Sequence, residues 1–73
     1  MNTRDYQKQI CAKRIKMAMG KAGIKQKDLC DLTGISKSAM SQYLSGAFKP
    51  KYDKATLIAN ALNVSESWLM GYD

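Results

Sequence analysis

Residues 26–46 read QKDLCDLTGISKSAMSQYLSG, a pattern that predicts two helices of about two turns each around a tight turn. The first helix is expected to end at Gly34, which favours a left-handed backbone, and Ser36 is a preferred N-cap for the second. Gly46 ends the second helix in the same way. The apolar side chains predicted to face the core are Leu29, Leu32, Ile35, Met40, Tyr43 and Leu44.

This pair of helices has the helix-turn-helix layout, in which the first helix crosses the phosphate backbone of DNA and the second enters the major groove. Its packing requirements are met, because the small residue Cys30 lies where the helices cross and Gly34 occupies the turn. Two short helices around a glycine also occur in bundles without a DNA function. The spacing therefore favours DNA binding but leaves a purely structural pair open.

Residues 5–22 place an apolar arc about 100° wide on one side of a preceding helix, which Gly23 ends. The residues on this arc are Cys11, Ile15, Ala18, Met19 and Ala22, and those on the far side are Lys13, Arg14, Lys16 and Lys21. Residues 1–10 precede Cys11, the first residue of this arc. They are either the start of the first helix or a mobile basic arm.

A basic loop over residues 47–52 leads to a fourth helix that Asp53 is expected to cap and Asn63 to end. The inward residues of this helix are predicted to be Leu57, Ile58, Ala61 and Leu62. Ser65 caps a last turn that carries Trp68 and Leu69, and Gly71 closes that turn.

The fold class predicted from these segments is all-α, since the connections are short and no stretch alternates at period 2. We assign residues 11–71 to one compact five-helix domain with its helix-turn-helix at 26–45. Residues 1–10 form an N-terminal extension, and 72–73 begin a tail or linker. A chain of 73 residues allows one small domain of this kind.

Composition excludes several classes of protein. There is no histidine, and the two cysteines, Cys11 and Cys30, form no CxxC pair, so no metal site is expected. The commonest general base is missing, and no phosphate-loop or nucleophile-turn motif occurs, so we expect no enzyme, no cofactor and no small-molecule substrate. No apolar run approaches the roughly 20 residues of a membrane span. These features predict a soluble, intracellular protein.

The net charge of +6 is concentrated at one end of the chain. Residues 1–27 hold eight basic residues and one acidic residue, a charge of +7, whereas residues 28–73 hold four basic and five acidic residues, a charge of −1. An excess of this sign indicates a polyanionic partner, which is a nucleic acid or, less often, an anionic membrane surface.

Several short motifs lie within the helix-turn-helix and on either side of it: GIKQKDL (23–29), GIS (34–36), MSQ (40–42), SG (45–46), IANALNV (58–64) and SESWLMG (65–71). Together they resemble the phage repressor and Cro-type helix-turn-helix domains, over most of the chain. The resemblance implies a lambda-repressor-like domain that binds double-stranded DNA. It also implies transcription regulation, as a repressor at a palindromic operator.

The resemblance also implies roles for individual side chains. The residues placed towards base edges are Lys37, Ser38, Ser41 and Gln42. Lysine suits guanine O6 and N7, and glutamine suits adenine N6 and N7. The residues placed towards phosphates are Gln26, Ser36, Lys49 and Lys51, with Lys25 and Lys27 at the rim. Phe48 and Tyr52 are expected to anchor the basic loop on the core rather than to stack on the sugar–phosphate edge.

The sequence departs from the family at one pair of positions. Many members carry a basic residue late in the first helix and a glutamate two residues before the glycine that ends the recognition helix. Met19 and Leu44 stand at these places. Since an apolar pair replaces a buried ion pair at little cost, we predict that the two side chains touch.

Family behaviour implies a homodimer, formed on DNA or through a further C-terminal domain, with half-sites about 34 Å apart. The interface is expected near Trp68, Leu69 and Met70. The chain is then a complete Cro-like regulator, an antitoxin that represses its own operon, or, as its ending favours, the N-terminal domain of a longer repressor. The alternatives from other classes are a protein-interaction module that uses the same helical surface and, more weakly, a basic helix at a membrane.

Overall fold

The computed structural model describes the backbone of residues 3–72 and the side chains of residues 6–72. Within this range the chain forms helices and no strand. The helices are α1 (Thr3–Ala22), α2 (Gln26–Thr33), α3 (Lys37–Ser45), α4 (Tyr52–Leu62) and α5 (Glu66–Met70). The prediction of an all-α, five-helix fold with the helix-turn-helix at α2 and α3 is confirmed.

The helices enclose one main core. α1 packs against α3, α4 and α5, and α2 packs against α3 and α4, so α3 is held from two sides. The buried core residues are Ile15, Ala18, Leu29, Ile35, Met40, Ile58, Ala59, Leu62 and Leu69. All five helices or their turns contribute to it, within overall dimensions of 32 × 24 × 21 Å.

The ends of the helices follow the local signals. Ser36 Oγ accepts a hydrogen bond from the Ala39 N–H at 3.1 Å, and Ser65 Oγ accepts one from the Trp68 N–H at 3.0 Å. Asn63 ends α4 with a left-handed φ of 59°. These short-range hydrogen bonds stabilise each helix end independently of the core.

α4 differs from the prediction in two respects. Its N-cap position is occupied by Lys51, and Asp53 lies in the first turn, where its charge still complements the helix dipole. Leu57 is half-exposed, whereas Ala55 and Ala59 are buried. The inward arc therefore uses small residues, which let α4 approach its neighbours closely, and Leu57 lies on the opposite side of the helix.

Three further side chains are not where periodicity placed them. Leu32 is 62% exposed, because Thr33, one turn after the buried Leu29, occupies the inner side of α2. Ala22 is exposed at the end of α1. Arg14, expected on the outer side of α1, is half-buried and lies over the ring of Trp68.

The N-terminal extension is helical from Thr3 onwards, because α1 runs without interruption from there to Ala22. Of the two alternatives for residues 1–10, the structure shows a helix for 3–10, and the first two residues lie outside the described range. The side chain of Ile10 is half-buried against Gly71 at the end of α5. No helix among the described residues is long and apolar enough to cross a membrane.

Candidate nucleic-acid interface

The turn between α2 and α3 is fixed by hydrogen bonds within a few residues. The buried Thr33 hydroxyl donates to the Leu29 carbonyl at 2.8 Å and accepts from the Ile35 N–H at 3.2 Å. Gly34 adopts a φ of 75°, and its N–H donates to the Cys30 carbonyl at 2.8 Å. These local hydrogen bonds and the left-handed Gly34 therefore fix the orientation of α3 relative to α2. The role of Thr33 was not recognised in the sequence.

α3 has one packed side and one solvent side. Its buried or half-buried residues are Ala39, Met40, Tyr43 and Leu44. Its exposed residues are Lys37, Ser38, Ser41, Gln42 and Ser45. At 100° per residue these five span an arc of about 140°, opposite the packed side. All four residues predicted to face bases, Lys37, Ser38, Ser41 and Gln42, thus share one exposed surface, called here the recognition face.

Gln26 joins the first turn of α2 to this recognition face. It is half-buried, and its Nε2 donates a hydrogen bond to Ser41 Oγ at 2.8 Å. The resemblance implied a phosphate contact for Gln26 and a base contact for Ser41, and the pairing of these two side chains was not predicted. The structure brings the two side chains together, 15 positions apart in the chain.

Lysines lie in grooves at both ends of the recognition face. At the start of α3, an open groove between α2 and α3 is lined by Gln26, Lys27 and Lys37 among its residues. Beyond the end of α3, a second groove is lined by Gln42, Lys49, Lys51 and Lys54 with Tyr43, Phe48 and Asp53. Lys25, at the N-cap position of α2, is exposed and directly precedes Gln26 in the chain. Lys54 was not identified from the sequence, where it lies three residues after Lys51, in the first turn of α4.

The loop between α3 and α4 is anchored by Pro50, which is fully buried. The expectation that Phe48 and Tyr52 anchor it is wrong, since these rings are 54% and 76% exposed. The proline ring holds the loop on the core without a polar group that would need a partner. The two aromatic rings are left beside Lys51 on the outer surface.

The side chain of Lys49 is bonded back to other parts of the chain rather than extended into solvent. Its ammonium group donates to Gln7 Oε1 at 3.2 Å and lies 5.9 Å from the centroid of the Tyr72 ring. Lys49 is half-buried, whereas Lys51 is exposed. Of the two loop lysines, Lys51 is therefore the one free to meet a phosphate, and Lys49 ties the loop to both ends of the chain.

The segment predicted as a dimer interface is largely internal. Leu69 and Met70 are 0% and 2% exposed, so their side chains belong to the core of the single chain. Met70 Sδ also accepts from the thiol of Cys11 at 3.7 Å. Only Trp68 is half-exposed, and its position is set by Arg14.

The two cysteines occupy different environments. Cys11 is fully buried, and burial raises the pKa of its thiol, an effect that the charges of Lys49 and Arg14 partly offset. Cys30 is half-exposed near the groove between α2 and α3. In the part of the chain that the structure describes, no group of three or more cysteine or carboxylate side chains is placed to hold a metal ion.

A small all-helical domain with a helix-turn-helix and an exposed polar recognition face defines the class of helix-turn-helix DNA-binding domains. A helix-turn-helix family model matches residues 15–69, more than half of the chain, so the protein belongs to the phage repressor and Cro-type helix-turn-helix family. This is a family of DNA-binding regulatory domains rather than of enzymes. Searches of curated proteins and of solved structures gave no match.

Proposed function

We propose that the protein binds double-stranded DNA at a specific operator, with α3 in the major groove, and represses transcription there. The observation that carries this proposal is the recognition face, where Lys37, Ser38, Ser41 and Gln42 are exposed together on one side of a packed helix. The major groove admits a helix, and donors and acceptors on such side chains match those of base edges. The sequence has no acidic residue between Ile35 and Tyr52 to repel phosphates.

The lysines flanking the recognition face supply the attraction to the backbone. Lys25 and Lys27 bind phosphates beside the start of α3. Lys51 and Lys54 bind phosphates beyond its end. Gln26 and Ser36 complete the contacts near the turn, since the amide of Gln26 keeps a second N–H and the hydroxyl of Ser36 keeps its proton. Phosphate contacts of this kind fix the position of a protein on DNA, whereas base contacts select the sequence.

Specificity for a palindrome follows if two copies bind with a two-fold axis. The recognition helices of such a homodimer enter the same side of the duplex about 34 Å apart. With Leu69 and Met70 buried, the surface around Trp68 is the accessible part of the predicted interface. The site of action is then the cytoplasm of a bacterium or of a phage-infected host.

Selection of bound duplexes from a random pool tests this function. We expect an enriched palindrome whose affinity falls steeply between two salt concentrations, because phosphate neutralisation releases counterions. The Gln42→Ala variant should lose preference at one position of each half-site, by about 1–3 kcal/mol. A pool without an enriched sequence would contradict specific DNA binding. It would instead favour a partner protein on the same helical surface.

A further inference from the structure

We propose that a groove between α1 and the end of α3 binds phosphates of DNA, on the strand opposite to the one that Lys51 contacts. The exposed polar side chains of this groove, called here the α1 groove, are Gln9, Lys13, Lys16 and Ser45. The inference rests on the proposed function, because it assumes that α3 lies in the major groove. It gives the two α1 lysines a binding role that the sequence did not indicate.

The α1 groove exists because α1 crosses α3 at its end. A Cβ added at Gly46, the residue that ends α3, would lie 3.9 Å from Ala12 Cβ and from the Lys8 carbonyl oxygen. Ala12 is buried at this crossing, and Leu44 of α3 also lines the groove. The backbone of α1 is therefore held beside the recognition face.

The polar residues that α1 contributes to the groove share one side of the helix. At 100° per residue, Gln9, Lys13 and Lys16 fall within an arc of about 60°, next to the buried Ala12. All three are exposed. Two positive charges are thus placed on the side of α1 that meets the end of the recognition helix.

These two lysines keep their charges available for an external anion. The sequence has no acidic residue from position 6 to position 27. Among the described side chains of residues 6–72, neither the Lys13 nor the Lys16 ammonium group forms a hydrogen bond or an ion pair. Lys49, by contrast, donates to Gln7. An unpaired ammonium group offers three donors and a compact positive charge, which suit the oxygens of a phosphate.

The α1 groove and the groove of the basic loop lie on opposite sides of α3. Leu44 lines the α1 groove, whereas Gln42 lines the groove that contains Lys51 and Lys54. At 100° per residue, Leu44 and Gln42 point about 160° apart around the axis of α3. A helix in the major groove has one phosphate backbone on each side, and the two backbones belong to different strands. The loop lysines therefore face one strand, and the α1 lysines face the other.

Contacts on both strands determine how α3 sits in the groove. Phosphate contacts set the position and orientation of a protein on the duplex, and base contacts select the sequence. Contacts along one strand alone leave the domain free to tilt about that strand. The α1 lysines oppose this tilt from the other side, so α1 acts as a second support for the recognition helix.

Salt titrations on the selected operator are the first test. Lys13→Gln and Lys16→Gln remove a charge and keep much of the side chain, so each should lower the slope of log K against log salt by about 0.9. The loss of affinity between about 50 and 200 mM salt should then be about 3.5-fold smaller for each variant. Lys21→Gln is the matched control and should leave the slope unchanged. Lys21 is an exposed lysine of the same helix that lines a different groove, between α1 and the α4–α5 region.

Replacing single phosphates of the operator by uncharged methylphosphonates identifies the strand. In each half-site of the wild-type complex, we expect phosphates on both strands whose replacement weakens binding. Lys51→Ala should abolish this sensitivity at a phosphate of one strand. The double variant Lys13→Gln/Lys16→Gln should abolish it at a phosphate of the other strand. Lysines that act only through long-range attraction would lower affinity and leave the pattern of sensitive phosphates unchanged.

The outcomes separate this inference from the proposed function. A random pool with no enriched operator overturns specific DNA binding and this inference with it. If an operator is enriched, an unchanged phosphate pattern in the double variant overturns the inference alone. Loss of sensitivity on the strand that Lys51 contacts, or an equal change of salt slope for Lys16→Gln and Lys21→Gln, also overturns the inference alone.

Discussion

The guanidinium group of Arg14 in α1 lies over the indole ring of Trp68 in α5, with Cζ 5.1 Å from the ring centroid, and Nη1 donates to the carbonyl oxygen of Trp68. The stacking is a cation–π contact, and the hydrogen bond gives a second donor to the Trp68 carbonyl, which also accepts from the Gly71 N–H. This pair therefore fixes α5 on α1.

Removing this contact should destabilise the fold. We expect Arg14→Ala to lower the free energy of unfolding by about 2 kcal/mol, through loss of the stacking and of a charged hydrogen bond. Lys13→Ala is the matched control, since it removes the same charge from an exposed neighbour and should cost less than about 0.5 kcal/mol. Urea unfolding followed by the fluorescence of Trp68, the only tryptophan, measures both. Equal losses would show that the contact contributes nothing.

Met19 and Leu44 are both half-buried and both pack against the main core, from α1 and α3. The prediction that they touch remains to be tested. Leu44→Glu should cost about 2 kcal/mol, because it places an unpaired carboxylate beside the core. Leu32→Glu, at an exposed site, is the control and should be nearly neutral. If the two side chains meet, adding Met19→Lys to Leu44→Glu should recover stability, whereas additive losses would place them apart.

Gly71 has a φ of 78°, and a Cβ added there would lie 2.7 Å from Ile10 Cγ2. We expect Gly71→Ala to lose about 2 kcal/mol from backbone strain and the clash together. Gly34 has a similar φ, but no atom lies close to an added Cβ. Gly34→Ala should therefore be destabilised by backbone strain alone. Gly20→Ala, within α1 and without close neighbours, should gain about 0.5–1 kcal/mol. Thermal unfolding of the three variants tests this order, which a neutral Gly71→Ala would contradict.

Lys49 and Lys51 should affect DNA binding in different ways. Lys51→Ala removes an exposed phosphate contact, so it should weaken binding to all sequences and lower the slope of log K against log salt by about 1. Lys49→Ala removes the link to Gln7 and Tyr72, so it should reduce stability more than Lys51→Ala does. Salt titrations and unfolding curves of both variants measure these effects. A larger change in salt slope for Lys49→Ala would place its ammonium group on the DNA.

The buried thiol of Cys11 should make stability depend on pH. Its pKa is raised in the folded chain, chiefly by burial, so the unfolded chain loses this proton first as the pH increases. The stabilisation is complete below the ordinary thiol pKa and is lost as the pH rises towards the folded value. Unfolding free energies between pH 7 and about pH 10 should thus fall more steeply for the wild type than for Cys11→Ala. Cys30→Ala is the control. Parallel curves for the wild type and Cys11→Ala would contradict the prediction.

The sequence by itself determined the helix-turn-helix and the ends of most helices. Ser36, Gly34, Gly46 and Asn63 act through hydrogen bonds and backbone preferences that span only a few residues, so their effect does not depend on the rest of the fold. The exposure of the recognition face was predictable for a similar reason. Its polar side chains follow one side of a helix whose other side carries Met40 and Leu44.

Only the tertiary structure decided which partner each side chain meets. Leu57 and Ala59 lie on different sides of α4, and Leu32 and Thr33 lie on different sides of α2. The neighbouring helices determine which residue of each two becomes buried. Lys49 meets Gln7 from 42 positions away, and Gln26 meets Ser41 across two helices. Leu69 and Met70, which were predicted at a dimer interface, are instead buried within the single chain. Such contacts depend on how helices dock, and hydrophobic burial is non-directional, so periodicity alone does not specify them.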